Sequence, residues 1–223
     1  EKKWIYPWET KELVRKVKSG TFHSGVRSSE SLKKNSLLLS GHGPVTQFKA
    51  DVRVDSVRVS YQTDGYVFAG VNTCLYNTSQ ISPNSPEGDV LATLVISAYN
   101  GEFFVRTMIR EFRNDNGGYW KIIKFTDHQI PGFDLNSWYQ LEILYDPDAG
   151  SISFNVYDAL GELLKSETLS DIPNAIGPAF SELRGILSTT TTNQGSGVNL
   201  ASVFAQFDNV YLNNVEVDTF DNE

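Results

Sequence analysis

The chain has 223 residues, with 19 Lys+Arg against 27 Asp+Glu, 27 aromatic residues (4 Trp, 10 Tyr and 13 Phe), one Cys and one Met. That length can bury a core without metal or disulfide staples, and the lone Cys74 excludes an internal disulfide framework. The formal net charge of −8 argues against nucleic acid as a partner, and no apolar run reaches the roughly 20 residues a membrane-spanning helix needs.

The charge is uneven. Residues 1–60 carry 12 Lys+Arg and 6 Asp+Glu, a net of +6, whereas residues 61–223 carry 7 and 21, a net of −14. This predicts basic N-terminal strands lying against acidic ones before it predicts an outside partner. No apolar leader follows Glu1-Lys2-Lys3-Trp4, as in a mature or excised chain. Leu13, Arg15 and Val17 alternate, and Lys18-Ser19-Gly20 then leads into Thr21–Val26, so the first element reads as a hairpin. Between Val45 and Tyr61 the pattern alternates: Phe48, Ala50, Val52 and Val54 face one way and Gln47, Lys49, Asp51 and Arg53 the other, the period of two of a half-buried strand. After the turn pair Asp64-Gly65 a second face is made of Val67, Ala69, Val71, Thr73 and Leu75, backed by Tyr66, Phe68, Asn72 and Tyr76. Further strands are expected over Val90–Tyr99, Phe103–Phe112, Tyr119–Thr126, Trp138–Tyr145, Ser151–Tyr157, Leu183–Thr190 and Val203–Leu212. Turn chemistry separates them: Asn100-Gly101, Asn114 to Gly118, Asp146-Pro147-Asp148-Ala149-Gly150 and Ala159-Leu160-Gly161. Ser170–Phe180, with two prolines and a glycine, reads as a loop. Many short strands and almost no helix predict an all-β fold, an antiparallel two-sheet β-sandwich of jelly-roll form, as a single domain over residues 1–223.

The run Trp138-Tyr139-Gln140-Leu141-Glu142-Ile143-Leu144-Tyr145-Asp146-Pro147, continuing through Gly150-Ser151-Ile152-Ser153-Phe154-Asn155-Val156-Tyr157-Asp158, resembles the paired central strands of the concanavalin A-like lectin/glucanase superfamily. Laminin-G-like and carbohydrate-binding jelly-roll modules of exported bacterial proteins belong to it. Phe207-Asp208-Asn209-Val210-Tyr211-Leu212 is similar to their closing strand. The resemblance implies an extracellular or cell-surface protein, a polysaccharide or glycan partner, and a structural Ca²⁺ with Asp208 as its ligand. Asp146, Asp148 and Asp64 are further oxygen donors for such an ion. Val217 to Glu223 is expected to lie beside Trp4 in one closed sandwich; the other reading makes the chain one unit of a tandem array with neighbouring domains.

Catalysis is not supported by the motifs. The glucanases of this superfamily carry E-x-D-x-x-E on one strand, yet Glu142 lacks an acid two residues on and Glu111 is isolated. Fragments akin to alginate-lyase motifs, Tyr66 to Val71, His128-Gln129-Ile130 and Ser181 to Arg184, stand in the wrong chain order. His23, His42 and His128 have no zinc spacing, and Cys74 has no neighbouring base. Sugar recognition instead needs flat rings beside planar polar groups. Asn72, Tyr76, Tyr99, Arg106, Arg110 and Trp120 fall on the non-core side of adjacent strands and form the expected ligand platform. The other expectation is that Arg106 and Arg110 pair with Glu111 or Glu142. The sequence thus reads as a non-catalytic recognition or adhesion module for polysaccharide. A polysaccharide-active lyase or hydrolase on the same fold and a structural spacer domain are the alternatives.

Overall fold

The computed structural model describes residues 14–18, 20–28, 32–39, 45–58, 66–77, 87–99, 102–170, 172, 185–192 and 201–218. Strands run in the order β1 (Val14–Lys18), β2 (Thr21–Ser28), β3 (Leu32–Leu39), β4 (Gln47–Arg58), β5 (Tyr66–Asn77), β6 (Asp89–Tyr99) and β7 (Glu102–Arg113). A single 3-10 turn at Asp115–Gly117 precedes β8 (Tyr119–His128), β9 (Trp138–Asp146), β10 (Ser151–Asp158), β11 (Leu163–Leu169), β12 (Gly185–Thr192), β13 (Ala201–Leu212) and β14 (Val215–Asp218). The expected contact of Trp4 with the C-terminus, the turn Asp64-Gly65, Asn100-Gly101 and residues 173–180 lie outside the described residues. So do the side chains of Cys74 and Tyr76.

Two antiparallel sheets stack face to face. The larger has the order β1-β2-β13-β4-β9-β10-β11, with β14 added to β13; the smaller has the order β3-β12-β5-β6-β7-β8. The alternation read from the sequence determines which side of each strand turns inward. Phe48, Ala50, Val52 and Val54 of β4 join Leu141, Ile143, Phe154, Val156 and Phe207 on the larger sheet's inner face. Val67, Ala69, Val71, Leu94, Ile96, Val105 and Ile109 line the facing side of the smaller sheet. Fully burying each of the larger of these side chains is worth about 1.5–3 kcal/mol, which is what holds two sheets together in a chain without disulfides. A polar contact bridges the sheets within this apolar layer: the hydroxyls of Ser24 on β2 and Thr189 on β12 lie 2.8 Å apart and both are buried.

Three strands were not visible as alternating runs. β3 reads Leu-Lys-Lys-Asn-Ser-Leu-Leu-Leu and β11 Leu-Leu-Lys-Ser-Glu-Thr-Leu, and neither has an apolar period of two. β14 follows Asn213-Asn214, whose φ values of 51° and 62° are both positive, as a type I′ hairpin turn requires. Asn213 also ties the turn to the start of β4, since its Oδ1 accepts the backbone N–H groups of Thr46 (2.8 Å) and Gln47 (3.1 Å). In the Asp146–Gly150 turn the capping carboxylate is Asp146, which accepts the N–H groups of Asp148 and Ala149 at 2.9 Å each.

Candidate functional site

The structure places Asn72, Tyr99, Arg106, Arg110 and Trp120 on the outer face of the smaller sheet, where they contact mainly other side chains of that face. Asn72 on β5, 3% exposed, donates to Ser188 Oγ on β12 (2.8 Å) and accepts the Thr93 hydroxyl of β6 (2.8 Å). Arg110 on β7 continues the row by donating to Thr93 Oγ1 at 3.1 Å, and its guanidinium lies 5.8 Å from the centre of the Trp120 ring on β8. Trp120 meets Phe112 edge to face at 5.4 Å. Beside this row Tyr99 stacks on Tyr66 at 4.6 Å. Arg106, 8% exposed, makes a two-pronged ion pair with Asp127 (2.7 and 2.8 Å) instead of with Glu111 or Glu142. The rings of Tyr66, Phe68, Phe104 and Phe125 surround its guanidinium at 4.6 to 5.4 Å. Two of its N–H donors are thus given to Asp127 and its flat faces are packed by rings.

Asp208 lies on the other sheet, away from these six. It borders a half-open groove of about 460 Å³ on the larger sheet's outer face, lined also by Asp51, Trp138, Gln140, Asp158, Leu160 and Asn209. A transverse row explains its shape. Asp208 on β13 is the register partner of Asp51 on β4, Asp51 of Gln140 on β9, and Gln140 of Tyr157 on β10. Immediately after Asp208 the β13–β4 register slips, and Asn209 takes a positive φ of 46°. Such a bulge re-aims side chains that a regular strand would hold in line, and Asn is among the few residues that accept this backbone at low cost.

The bulge turns Asn209 toward β4, where its Nδ2 donates to Asp51 Oδ2 at 2.7 Å, while Gln140 Nε2 donates to Asp51 Oδ1 at 3.0 Å. Asp208 Oδ1 accepts the Asn209 N–H (2.8 Å). On the far side Asp158 Oδ1 caps the β10–β11 loop through the N–H groups of Leu160 (2.8 Å) and Glu162 (2.9 Å). The Trp138 ring, half-buried, has the Arg53 guanidinium 5.3 Å from its centre, and Arg53 is paired with Asp55 at 2.9 Å. Among the described residues no group of three or more His, Cys, Asp or Glu side chains is arranged to hold a metal ion.

The groove combines one flat ring with planar amides and carboxylates presented by four neighbouring strands, a chemistry suited to hydroxyl-rich ligands. Of its residues only Asp208 stood out in the sequence. Asp51 and Gln140 occupy outward positions of alternating strands, a signal shared with every solvent-facing polar residue. The informative mark was Asp208-Asn209 inside an otherwise regular apolar period, where Asn permits a bulge.

No protein-family model and no curated protein matches this chain. Among solved structures, the chain is similar to the kappa-carrageenase from Pseudoalteromonas carrageenovora in complex with an oligotetrasaccharide of kappa-carrageenan. The TM-score is 0.46 at 10% identity, covering 86% of this chain and 81% of that one. It is also similar to the CBM2 module of the Lactobacillus casei BL23 phage J-1 evolved Dit, with a TM-score of 0.44 at 12% identity over 90% and 79% of the two chains. A third is the marine PL7 alginate lyase from Zobellia galactanivorans, with a TM-score of 0.43 at 10% identity over 87% and 80%.

Proposed function

We propose that this protein is a recognition module for polysaccharide, non-catalytic, and part of an exported or surface protein, with the sugar chain seated across the groove of the larger sheet. The observation that carries this reading is the bulge at Asp208-Asn209, which gathers planar hydrogen-bonding groups from β13, β4 and β9 beside the Trp138 ring. A pyranose places its C–H face on an aromatic ring and its hydroxyls in the ring plane, within reach of flanking amides and carboxylates. The carboxylates accept amide N–H groups, which fixes the direction in which they meet a ligand. The outer face of the smaller sheet serves as bracing, because Asn72, Thr93, Ser188 and Arg106 already satisfy one another or Asp127.

Native electrophoresis through gels carrying neutral polysaccharides (β-glucan, xylan, mannan and galactan) tests the proposal. Retardation in at least one gel is expected. Trp138→Ala should weaken it by roughly tenfold or more, as loss of an aromatic anchor does. Migration unaffected by every polysaccharide would sink the reading, and retardation unchanged in Trp138→Ala would remove the groove as its seat.

A further inference from the structure

We infer that the groove discriminates by ligand charge, taking amine-bearing sugar chains in preference to neutral ones and neutral ones in preference to chains bearing carboxylate or sulfate. This rests on the polysaccharide reading above and adds the substrate class. The residues that line the groove include Asp51, Asp158 and Asp208 and, among the described residues, no Lys, Arg or His. Asp51 and Asp208 are direct register partners on adjacent strands, so two carboxylates face each other across one ladder rung. A like-charged pair in that position is unfavourable in a sheet by itself and is relieved by a cation placed between or above its members.

The nearest cations are turned to other work. Arg53 is committed to Asp55 and Trp138, and the Lys49 ammonium sits 4.6 Å from the centre of the Tyr211 ring. The field is felt nearby: the Tyr211 hydroxyl is held above the usual phenol range by burial and then by the charges of Glu216, Asp51 and Asp208. Gln140 and Asn209 each give one amide proton to Asp51, so the amides that could receive a ligand carboxylate or sulfate are held against a carboxylate already there. An anionic chain entering here would meet three carboxylates, whereas a protonated amine would meet three acceptors.

The test uses whichever neutral polysaccharide retards the protein, together with its aminated and carboxymethylated derivatives of matched length, titrated against the whole chain by calorimetry. At low salt the aminated form should bind about tenfold more tightly than the carboxymethylated one, as a single extra charge contact a few ångströms away implies. The gap should narrow as salt is raised. Asp208→Asn and Asp51→Asn, each nearly isosteric, should flatten the series, the ratio of aminated to carboxymethylated affinity falling toward one whatever the change in affinity for the neutral polymer. Equal or tighter binding of the carboxymethylated form overturns the inference and leaves the polysaccharide reading standing. A preference unchanged in both variants also overturns it, because the discrimination would then come from the overall charge of the chain. Binding to no neutral polysaccharide removes the polysaccharide reading, and this inference with it.

Discussion

A methyl group built on Gly70 would come within 2.4 Å of the Leu94 carbonyl oxygen and 2.8 Å of the Val95 Cα, both backbone atoms of β6. On Gly25 it would meet the Phe204 ring at 2.2 Å, because that ring lies across the glycine from the neighbouring strand. The two contacts differ in what can give way. A ring can swing aside, whereas the β5–β6 ladder cannot open at one residue without losing its hydrogen bonds. Gly25→Ala is therefore expected to cost about 1–3 kcal/mol and to be partly rescued by Phe204→Leu. Gly70→Ala should cost more and find no rescue in any single side chain. Thermal unfolding of the three variants checks this, and equal losses for the two glycines would contradict it. At this scale much was legible. The alternation along β5 and β7 places Val71, Val105 and Ile109 inward and Asn72, Arg106 and Arg110 outward. What alternation cannot say is whether an outward side chain meets water. Arg106 does not, because Asp127 and four rings converge on it from two other strands and its own.

The edge strands β8 and β11 close one side of the sandwich through polar contacts. Glu167 Oε2 on β11 accepts the Thr107 hydroxyl of β7 (2.6 Å) and a hydrogen bond from His128 Nε2 of β8 (2.9 Å), and Lys124 Nζ donates to the Ser170 carbonyl oxygen (2.7 Å). Burial by itself would raise the Glu167 carboxyl, but the hydrogen bonds from Thr107 and His128 and the imidazole charge outweigh it, so the group sits below the usual carboxylate range. A carboxyl depressed in the folded state stabilises fully above its unfolded value, about 4.3, and that contribution is lost as pH falls through the folded value. Below about pH 4 the melting temperature of the native chain should thus fall more steeply than that of Glu167→Gln, with the two curves converging at the acid end. Parallel curves would show that the contact carries no net charge energy. β11 escaped the sequence reading because it lies at a sheet edge. Both of its faces are partly wet there, so Leu163, Leu164, Glu167 and Leu169 follow no single buried stripe.

At the scale of the whole molecule, β13 lies inside the larger sheet, between β2 and β4, although it is nearly the last strand in the chain. Its residues pair with positions 22–28 and 48–58, so the sheet cannot be completed until both ends of the described chain have met. Ending the chain after Leu200 should abolish the cooperative thermal transition, whereas ending it after Asn214, which among the described strands removes β14, should lower the midpoint without abolishing it. A native-like near-UV spectrum from the shorter chain would refute this. Pairings of such sequence separation form slowly and leave no mark in local periodicity. For the same reason the groove was not legible as a unit. Its members come from positions 51, 138–140, 158–161 and 208–209. Only the order of strands, which no single strand encodes, places them together.

The hydroxyl pair of Ser24 and Thr189 has a bearing on this order. Apolar layers tolerate translation: one sheet could creep over the other by a pleat repeat of about 7 Å and exchange one set of methyl contacts for another. Two buried hydroxyls fit only one alignment, since any creep would strand both in hydrocarbon at a cost of about 1–3 kcal/mol each. The pair acts as a dowel, and the trench beside Trp138 keeps a constant offset from the aromatic collar of Arg106 on the opposite surface.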